Sequence, residues 1–413
     1  MFSRGYVMDQ KVCVIGLGYI GLPTASLLAT KGFKVHGVDI NPEIVSKINA
    51  GKIHIVEPGL DVLVKSAIHS GNLKAGNKPE PADVFIIAVP TPFDDHKNPD
   101  ISYIQAATDA IAPHLLENNL IILESTSPVG TTQKIQQQIL KRRPDLQKLF
   151  FAYCPERVIP GKVLQELIEN DRVVGGLDAV STQKAKAFYQ TFVGGKVLET
   201  NSVTAEMCKL TENAFRDVNI AFANELSMVC DELKINVWEL IRLANHHPRV
   251  NILQPGPGVG GHCIAVDPWF IISENPKRTA LMKAARTVND FKPEWVLEKI
   301  CAVAKKFINP TIACLGLSFK ANIGDLRESP AKMIVERLIE KNIAKVIVCE
   351  PHLQLSDQFH LVDLKNAIEC ADIIVILVDH AQFQFLAMAN LSEKIVIDTR
   401  GVLKSISPHL AYA

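Results

Sequence analysis

Nine cysteines are spread along this 413-residue chain, and one of them sits where a thiol has room to react. Residues 255–268 read Pro-Gly-Pro-Gly-Val-Gly-Gly-His-Cys-Ile-Ala-Val-Asp-Pro. Glycine at this density lets backbone N–H groups come against a ligand and places Cys263 without side-chain crowding. A nucleophilic cysteine needs neighbours that lower its pKa or orient it, and His262 and Asp267 lie in the same segment. Buried cysteines are ordinarily inert hydrophobes, and the remaining ones are read that way. Further back, Lys209 and Asn213 are spaced i, i+4, so on a helix they share a face. A lysine and an amide converging there could stabilise an alkoxide or position a water; a solvated helix face is the competing reading.

A second constellation binds rather than reacts. Val-Ile-Gly16-Leu-Gly18-Tyr19-Ile20-Gly21 follows an apolar strand and opens a helix. Gly16 permits the tight turn, Gly18 the close approach of a pyrophosphate, and Gly21 tight helix–strand packing. The phosphates would then face the free N–H groups of the helix start. A strand ending in Gly37-Val38-Asp39 follows at the expected distance. Asp39 can accept from both ribose hydroxyls and would repel a 2′-phosphate, which favours NAD over NADP. Three later strands end in polar residues: Val89-Pro90-Thr91, Glu124-Ser125-Thr126 and Cys154-Pro155-Glu156-Arg157. Ligands of open α/β sheets bind beyond the carboxyl ends of strands, so Thr91, Thr126 and Glu156 are expected to face cofactor and substrate.

The elements that must position these groups show in the hydrophobic pattern. Continuous apolar runs are expected as strands at Lys11–Ile15, Lys34–Val38, Val84–Val89, Leu120–Leu123 and Leu149–Tyr153. A second set lies at Thr311–Leu315, Lys345–Cys349, Ile373–Val378 and Ile395–Ile397. Such runs, with helical patterns between them, are what parallel strands covered on both faces look like. Between the sets, Val203–Leu233 has no Gly or Pro and keeps a helical rhythm, with further helical sequence to about residue 305. The expected class is α/β: two Rossmann-like doubly wound domains joined by a long central helix. The boundaries are drawn at 1–200 for an NAD domain, 201–304 for a helical linker and dimerisation domain, and 305–413 for a substrate domain. No matching sequence between the two α/β halves is apparent, and the second has no G-x-G-x-x-G.

Composition narrows the classes. Lys and Arg (44) balance Asp and Glu (44), which removes any general electrostatic reason to bind nucleic acid or anionic membrane. No C-x-x-C pair occurs, so neither a zinc site nor a disulfide scaffold is expected, and a reducing cytoplasm is. The uncharged run Val12–Thr30 would attract a hydropathy window, but its glycines and Pro23 read as a buried strand turning into a helix, not as a membrane span.

Taken together these motifs resemble the UDP-sugar 6-dehydrogenases over essentially the whole chain. Gly261-His262-Cys263 and Ala265-Val266-Asp267-Pro268-Trp269-Phe270 look like the branch acting on N-acetylated hexosamines, where UDP-glucose members carry a serine before the nucleophile. Pro248–Gln254 and Ala205–Arg242 look most like members that use the N-acetylmannosamine nucleotide; the N-acetylglucosamine and glucose nucleotides are the alternatives. The resemblance implies a four-electron oxidation of the sugar C6 alcohol to a carboxylate, with two NAD consumed and a thioester on Cys263. It implies that Lys209 and Asn213 hold the C6 oxygen, Asp267 and Thr126 order the water, and Glu156 is the general base. It further implies cofactor contacts from Tyr19, Ile20 and Arg327, and substrate contacts from Arg157, Arg249, Gly260 and Lys320, with Arg249 reaching in from the partner of a homodimer or larger homo-oligomer. Arg400 receives no role.

Three rivals are weaker. A hydroxyacid-type dehydrogenase also pairs a lysine with an asparagine but needs no cysteine in a glycine-rich loop. A short-chain epimerase would need Tyr-x-x-x-Lys, which the chain lacks. A silent binding sensor would have lost some of the reactive groups, yet all are present.

Overall fold

Alternate residues of a buried strand point to opposite faces, so a strand covered on both sides is apolar throughout. In β1 (Lys11–Ile15) Val12 and Val14 join one hydrophobic core, while Cys13 and Ile15 join another. The computed structural model describes residues 10–94, 97–261, 263–388 and 391–403. His262 therefore lies outside the described residues.

The chain divides into two compact units. The first runs to Thr211 and takes in Trp269–Ser273; the second comprises Glu212–Pro268 and the chain from Glu274 on. The first unit holds β1, β2 (Lys34–Val38), β3 (Leu73–Gly76), β4 (Val84–Ile87), β5 (Leu120–Leu123), β6 (Phe150–Tyr153), β7 (Arg172–Gly176) and β8 (Val197–Asn201). They form one sheet in the order β3-β2-β1-β4-β5-β6-β7-β8. All neighbours are parallel except β6 and β7, which run antiparallel.

Three of these strands escape the hydrophobic pattern. β3 and β8 are the two edges, and β8 is largely exposed. β7 begins with a buried arginine and ends in Gly175-Gly176. Those glycines have a steric cause: a Cβ on Gly175 would lie 2.2 Å from the carbonyl oxygen of Asn201. The run Val12–Thr30 resolves into β1, a turn, and the helix Gly21–Thr30, whose residues Gly21 to Ala29 are all buried.

The second unit carries a four-stranded parallel sheet of β9 (Thr311–Leu315), β10 (Lys345–Cys349), β11 (Ile373–Ile376) and β12 (Ile395–Asp398), in the order β10-β9-β11-β12. Ile312 and Cys314 face one core, Ala313 and Leu315 the other. The chain is thus α/β with two Rossmann-like sheets, and the 32-residue helix Ser202–Leu233 is the long central helix.

The sequence beyond that helix is less helical than expected. Helices Val237–Ala244, Asp267–Glu274 and Ala280–Ala304 are separated by an irregular stretch, because Pro248, Pro255, Pro257 and the glycines cannot sustain a helix. Asn245 clasps that stretch: its Nδ2 donates to the Ile252 carbonyl at 3.0 Å, and Ile252 N–H returns to its Oδ1 at 2.7 Å.

The two halves share one short turn. Ile15-Gly16-Leu17 and Leu315-Gly316-Leu317 occupy the same turn after the first strand, with Gly16 at φ +93° and Gly316 at φ +95°. Gly16 N–H donates to Val38 O at 2.8 Å, and Gly316 N–H to Cys349 O at 2.8 Å. Leu17 N–H donates to Asp39 at 3.1 Å, and Leu317 N–H to Glu350 at 2.7 Å. The pattern is too short, and its acid too variable, to stand out from sequence alone. Glu350 is buried and paired with His380 Nε2 at 3.1 Å, whereas Asp39 stays half-exposed.

Candidate active site

The turn after β1 is shaped for a dinucleotide. A Cβ on Gly16 would strike Ala88 O at 2.6 Å, and one on Gly21 would strike Gly16 O at 1.8 Å. At Gly18 the space is open, with nothing within 4 Å of where a Cβ would be. That is the arrangement a pyrophosphate needs: two glycines required by packing and one by backbone approach. Tyr19 is exposed and Ile20 immediately precedes the helix, whose first turn has neither a side-chain cap nor an acidic residue. Asp39 anchors the turn with Oδ2 on Leu17 N–H and accepts Asn41 N–H at 2.9 Å on Oδ1. These residues fit NAD.

The other strand ends of the first unit supply polar groups. Thr91 Oγ1 is buried without a hydrogen-bond partner, a hydroxyl left for a ligand to satisfy. Thr126, Arg157 and Lys209 are half-buried. Glu156 is buried, and both of its oxygens are engaged: Oε1 accepts Arg157 N–H at 2.6 Å and Oε2 accepts Arg172 Nη1 at 2.9 Å. Each carboxylate oxygen retains a free lone pair, so the group can still take a proton. The loop after Glu156 is fastened from elsewhere in the unit, because buried Glu57 accepts Gly161 N–H at 2.8 Å and Val163 N–H at 2.7 Å. Sequence reasoning gave no role to Glu57, Glu124 or Arg172; only charge at an otherwise buried strand end could have flagged the latter two.

In the second unit, Cys263 is exposed and lies one turn before the helix that starts at Asp267: Asp267 N–H donates to the Cys263 carbonyl at 2.8 Å. Asp267 is buried and accepts Asn213 Nδ2 at 2.5 Å. Cysteine, aspartate and asparagine are thereby linked through a helix turn and one side-chain bond.

The glycines of the cysteine loop serve close packing within the unit. A Cβ on Gly260 would lie 2.4 Å from Glu328 O, one on Gly261 would lie 2.8 Å from the Phe319 ring, and one on Gly256 would lie 2.4 Å from Arg400 Nη1. The density at Gly260 and Gly261 therefore reflects backbone pressed against the loop after β9, whereas at Gly256 only the movable guanidinium tip of Arg400 is close. A cleft lined by Pro257, Gly258, Ser318, Lys320 and Arg400 lies in this region. Arg400, left without a role by the sequence, shares that cleft with Lys320 and is held by Asp379 at 2.7 Å. Arg327 is forked onto Asp325, with Nε at 2.8 Å and Nη2 at 2.5 Å. Arg249 is exposed. Among the described residues, no group of three or more His, Cys, Asp or Glu could hold a metal ion.

Comparison with known proteins agrees with this geometry. Residues 10–193 match the NAD binding domain of the UDP-glucose/GDP-mannose dehydrogenase family, 203–291 its central domain and 313–405 its UDP binding domain. The chain is 55% identical over 406 residues to an NDP-N-acetyl-D-galactosaminuronic acid dehydrogenase of Ralstonia nicotianae, covering 95% of this chain and 96% of that one. It is 51% identical over 413 residues to the UDP-N-acetyl-D-mannosamine dehydrogenase of Escherichia coli, with 95% and 98% covered. Among solved structures, the UDP-N-acetyl-mannosamine dehydrogenase Cap5O from S. aureus superposes with a TM-score of 0.88 at 42% identity, covering 96% of each chain.

Proposed function

The chain belongs to the UDP-glucose/GDP-mannose dehydrogenase family, and on that premise we propose that it is an NAD-dependent dehydrogenase oxidising UDP-N-acetyl-D-mannosamine at C6 to the uronate. The observation that carries the reading is the Cys263–Asp267–Asn213 linkage, in which an exposed cysteine lies one helix turn before a buried, amide-held aspartate. We read NAD binding on 1–200, dimerisation on 201–304 and the UDP-sugar on 305–413; the family's NAD binding domain at 10–193 and UDP binding domain at 313–405 support the first and the last.

In this reading NAD, when bound, would supply the hydride acceptor, one cofactor for each of the two oxidations, with the first NADH exchanged for a second NAD between them. Lys209 and Asn213 hold the C6 oxygen, and Glu156 takes the proton of the C6 hydroxyl as the alcohol becomes an aldehyde. Cys263 Sγ adds to the aldehyde carbon, giving a thiohemiacetal that the second oxidation converts to a thioester. Asp267 and Thr126 order the water whose attack breaks the C–S bond, releasing the carboxylate and restoring the thiol. Covalent capture keeps a reactive aldehyde from escaping. Arg157, Arg249, Gly260 and Lys320 contact the substrate, and Lys320 and Arg400 offer positive charge to its diphosphate.

Purified protein given UDP-N-acetyl-D-mannosamine is expected to form two NADH per sugar oxidised; one per sugar overturns the four-electron mechanism. The epimer is tested separately. The relative from Ralstonia nicotianae supports a second reading, in which the galacto epimer is the substrate. Side-by-side rates with the N-acetylmannosamine, N-acetylgalactosamine, N-acetylglucosamine and glucose nucleotides decide it, and clear preference for any but the first overturns the assignment.

We also propose a homodimer through the central helix. Phe215, Phe222 and Val229 recur every seven residues on it and are 66%, 55% and 46% exposed, an apolar stripe that a monomer would leave in water. The second copy offers the self-complementary partner of a two-fold interface. Phe215→Asp with Phe222→Asp is expected to shift the protein to monomer in sedimentation, and an unchanged mass removes this stripe from the interface. Nine free thiols suit a reducing cytoplasm, and among the described residues no helix is long and apolar enough to cross a membrane.

A further inference from the structure

The carboxyl ends of β5 and β6 hold a buried cluster with two carboxylates and one guanidinium. Glu124 follows β5, Glu156 follows β6, and Arg172 opens β7; they are 3%, 7% and 3% exposed. Tyr189, the last residue of the helix Ala179–Tyr189, closes the cluster from the other side. Its hydroxyl meets Glu124 Oε1 at 2.6 Å, and its ring lies 5.5 Å from the Arg172 guanidinium. The remaining titratable neighbour is Cys154, whose thiol burial pushes up to about 12, so it stays neutral. Burial likewise raises the Tyr189 phenol well above its ordinary value.

Two ionised carboxylates facing one arginine would leave a net buried charge, and placing one proton in the cluster avoids that cost. The hydrogen bonds say which carboxylate takes it. Glu156 receives the guanidinium at 2.9 Å and a backbone N–H at 2.6 Å, both favouring its ionised form. Glu124 meets only a phenol, and its Oε2 is buried without a partner. We propose that Glu124 is a proton-bearing positioning residue that leaves Arg172 committed to Glu156, so that the two together hold the base ionised and in place. Burial, the largest influence, raises Glu124 to about 7 although Arg172 pulls it down, in keeping with that division. Near neutral pH Glu124 begins to ionise and to compete for the arginine. The inference rests on reading Glu156 as the base.

The sign for stability follows from the raised value. The contribution of Glu124 is fully present below its unfolded pKa and is lost as pH rises through about 7. Glu124→Gln keeps the shape of the protonated form and cannot ionise. Its thermal midpoint is expected to exceed that of the unsubstituted protein by a margin that widens from about pH 5 to about pH 8. Its acid limb of kcat/KM should stay where it is in the unsubstituted protein. Arg172→Met is expected to move that limb upward by about one pH unit or more, and Arg172→Lys to restore part of the shift.

A pH-independent margin for Glu124→Gln, or a midpoint that falls, overturns the proton on Glu124. An unmoved acid limb in Arg172→Met overturns the role of the arginine. Glu156→Gln separates the premise: if it turns over normally, Glu156 is not the base, while the stability test of Glu124 still reads the proton directly.

Discussion

Cys263→Ser is expected to lower conversion of the UDP-sugar to its uronate by roughly 10³-fold or more, with the fold intact. A thiol is far more acidic than a serine hydroxyl, and the thiolate is the stronger nucleophile toward a carbonyl carbon. The second loss is at hydrolysis, because an ester formed on serine is a poorer acyl donor to water than a thioester. The substitution removes little packing, since Cys263 is exposed and its carbonyl, not its sulfur, caps the helix at Asp267. The unfolding free energy should therefore stay within the range of ordinary surface changes, about 0.5 kcal/mol. Uronate formation followed by chromatography alongside NADH absorbance checks both halves. Near-normal turnover removes Cys263 as the nucleophile.

That cysteine stands out in the sequence because it follows a run of glycines in a chain otherwise built of regular elements. The dinucleotide turn was legible because its glycine spacing is distinctive: Gly16 and Gly21 sit where a Cβ would strike backbone, and Gly18 leaves open space. The reason for the second glycine run was not legible. Gly260 and Gly261 are required by Glu328 and Phe319, residues far along the chain that only folding brings near. Strand β7 was hidden by its arginine, which pairs with Glu156 in the interior and so behaves as a core residue. Composition treats such a pair as two polar residues; burial makes it one neutral unit. The same blindness applies to Glu124, Asp217 and Arg286, all charged in type and all buried.

The last of these pairs should carry the largest single stability effect in the second unit. Asp217 on the long helix is fully buried and accepts Arg286 Nη1 at 2.5 Å and Asn289 Nδ2 at 2.8 Å. Burial raises the Asp217 pKa, and Arg286 and Asn289 oppose it. Arg286→Met leaves that carboxylate without its cation, a loss of about 3–5 kcal/mol in denaturant unfolding. Charge, and not the missing volume, is the cause, and pH tells the two apart. Without the arginine the folded carboxyl is raised further, so its contribution is intact below the unfolded pKa and lost as pH rises through the folded value. The deficit should be smaller near pH 5 than near pH 8, and a deficit that ignores pH would mean a packing defect instead. The damage also has a route to the chemistry. Asn289 Oδ1 accepts Asn224 Nδ2 at 2.9 Å, and Asn224 Oδ1 accepts the Gly256 N–H at 2.9 Å, at the start of the loop that carries Cys263. Loosening Asp217 thus loosens the anchor of the loop that carries Cys263, and kcat should fall more than the fraction unfolded accounts for.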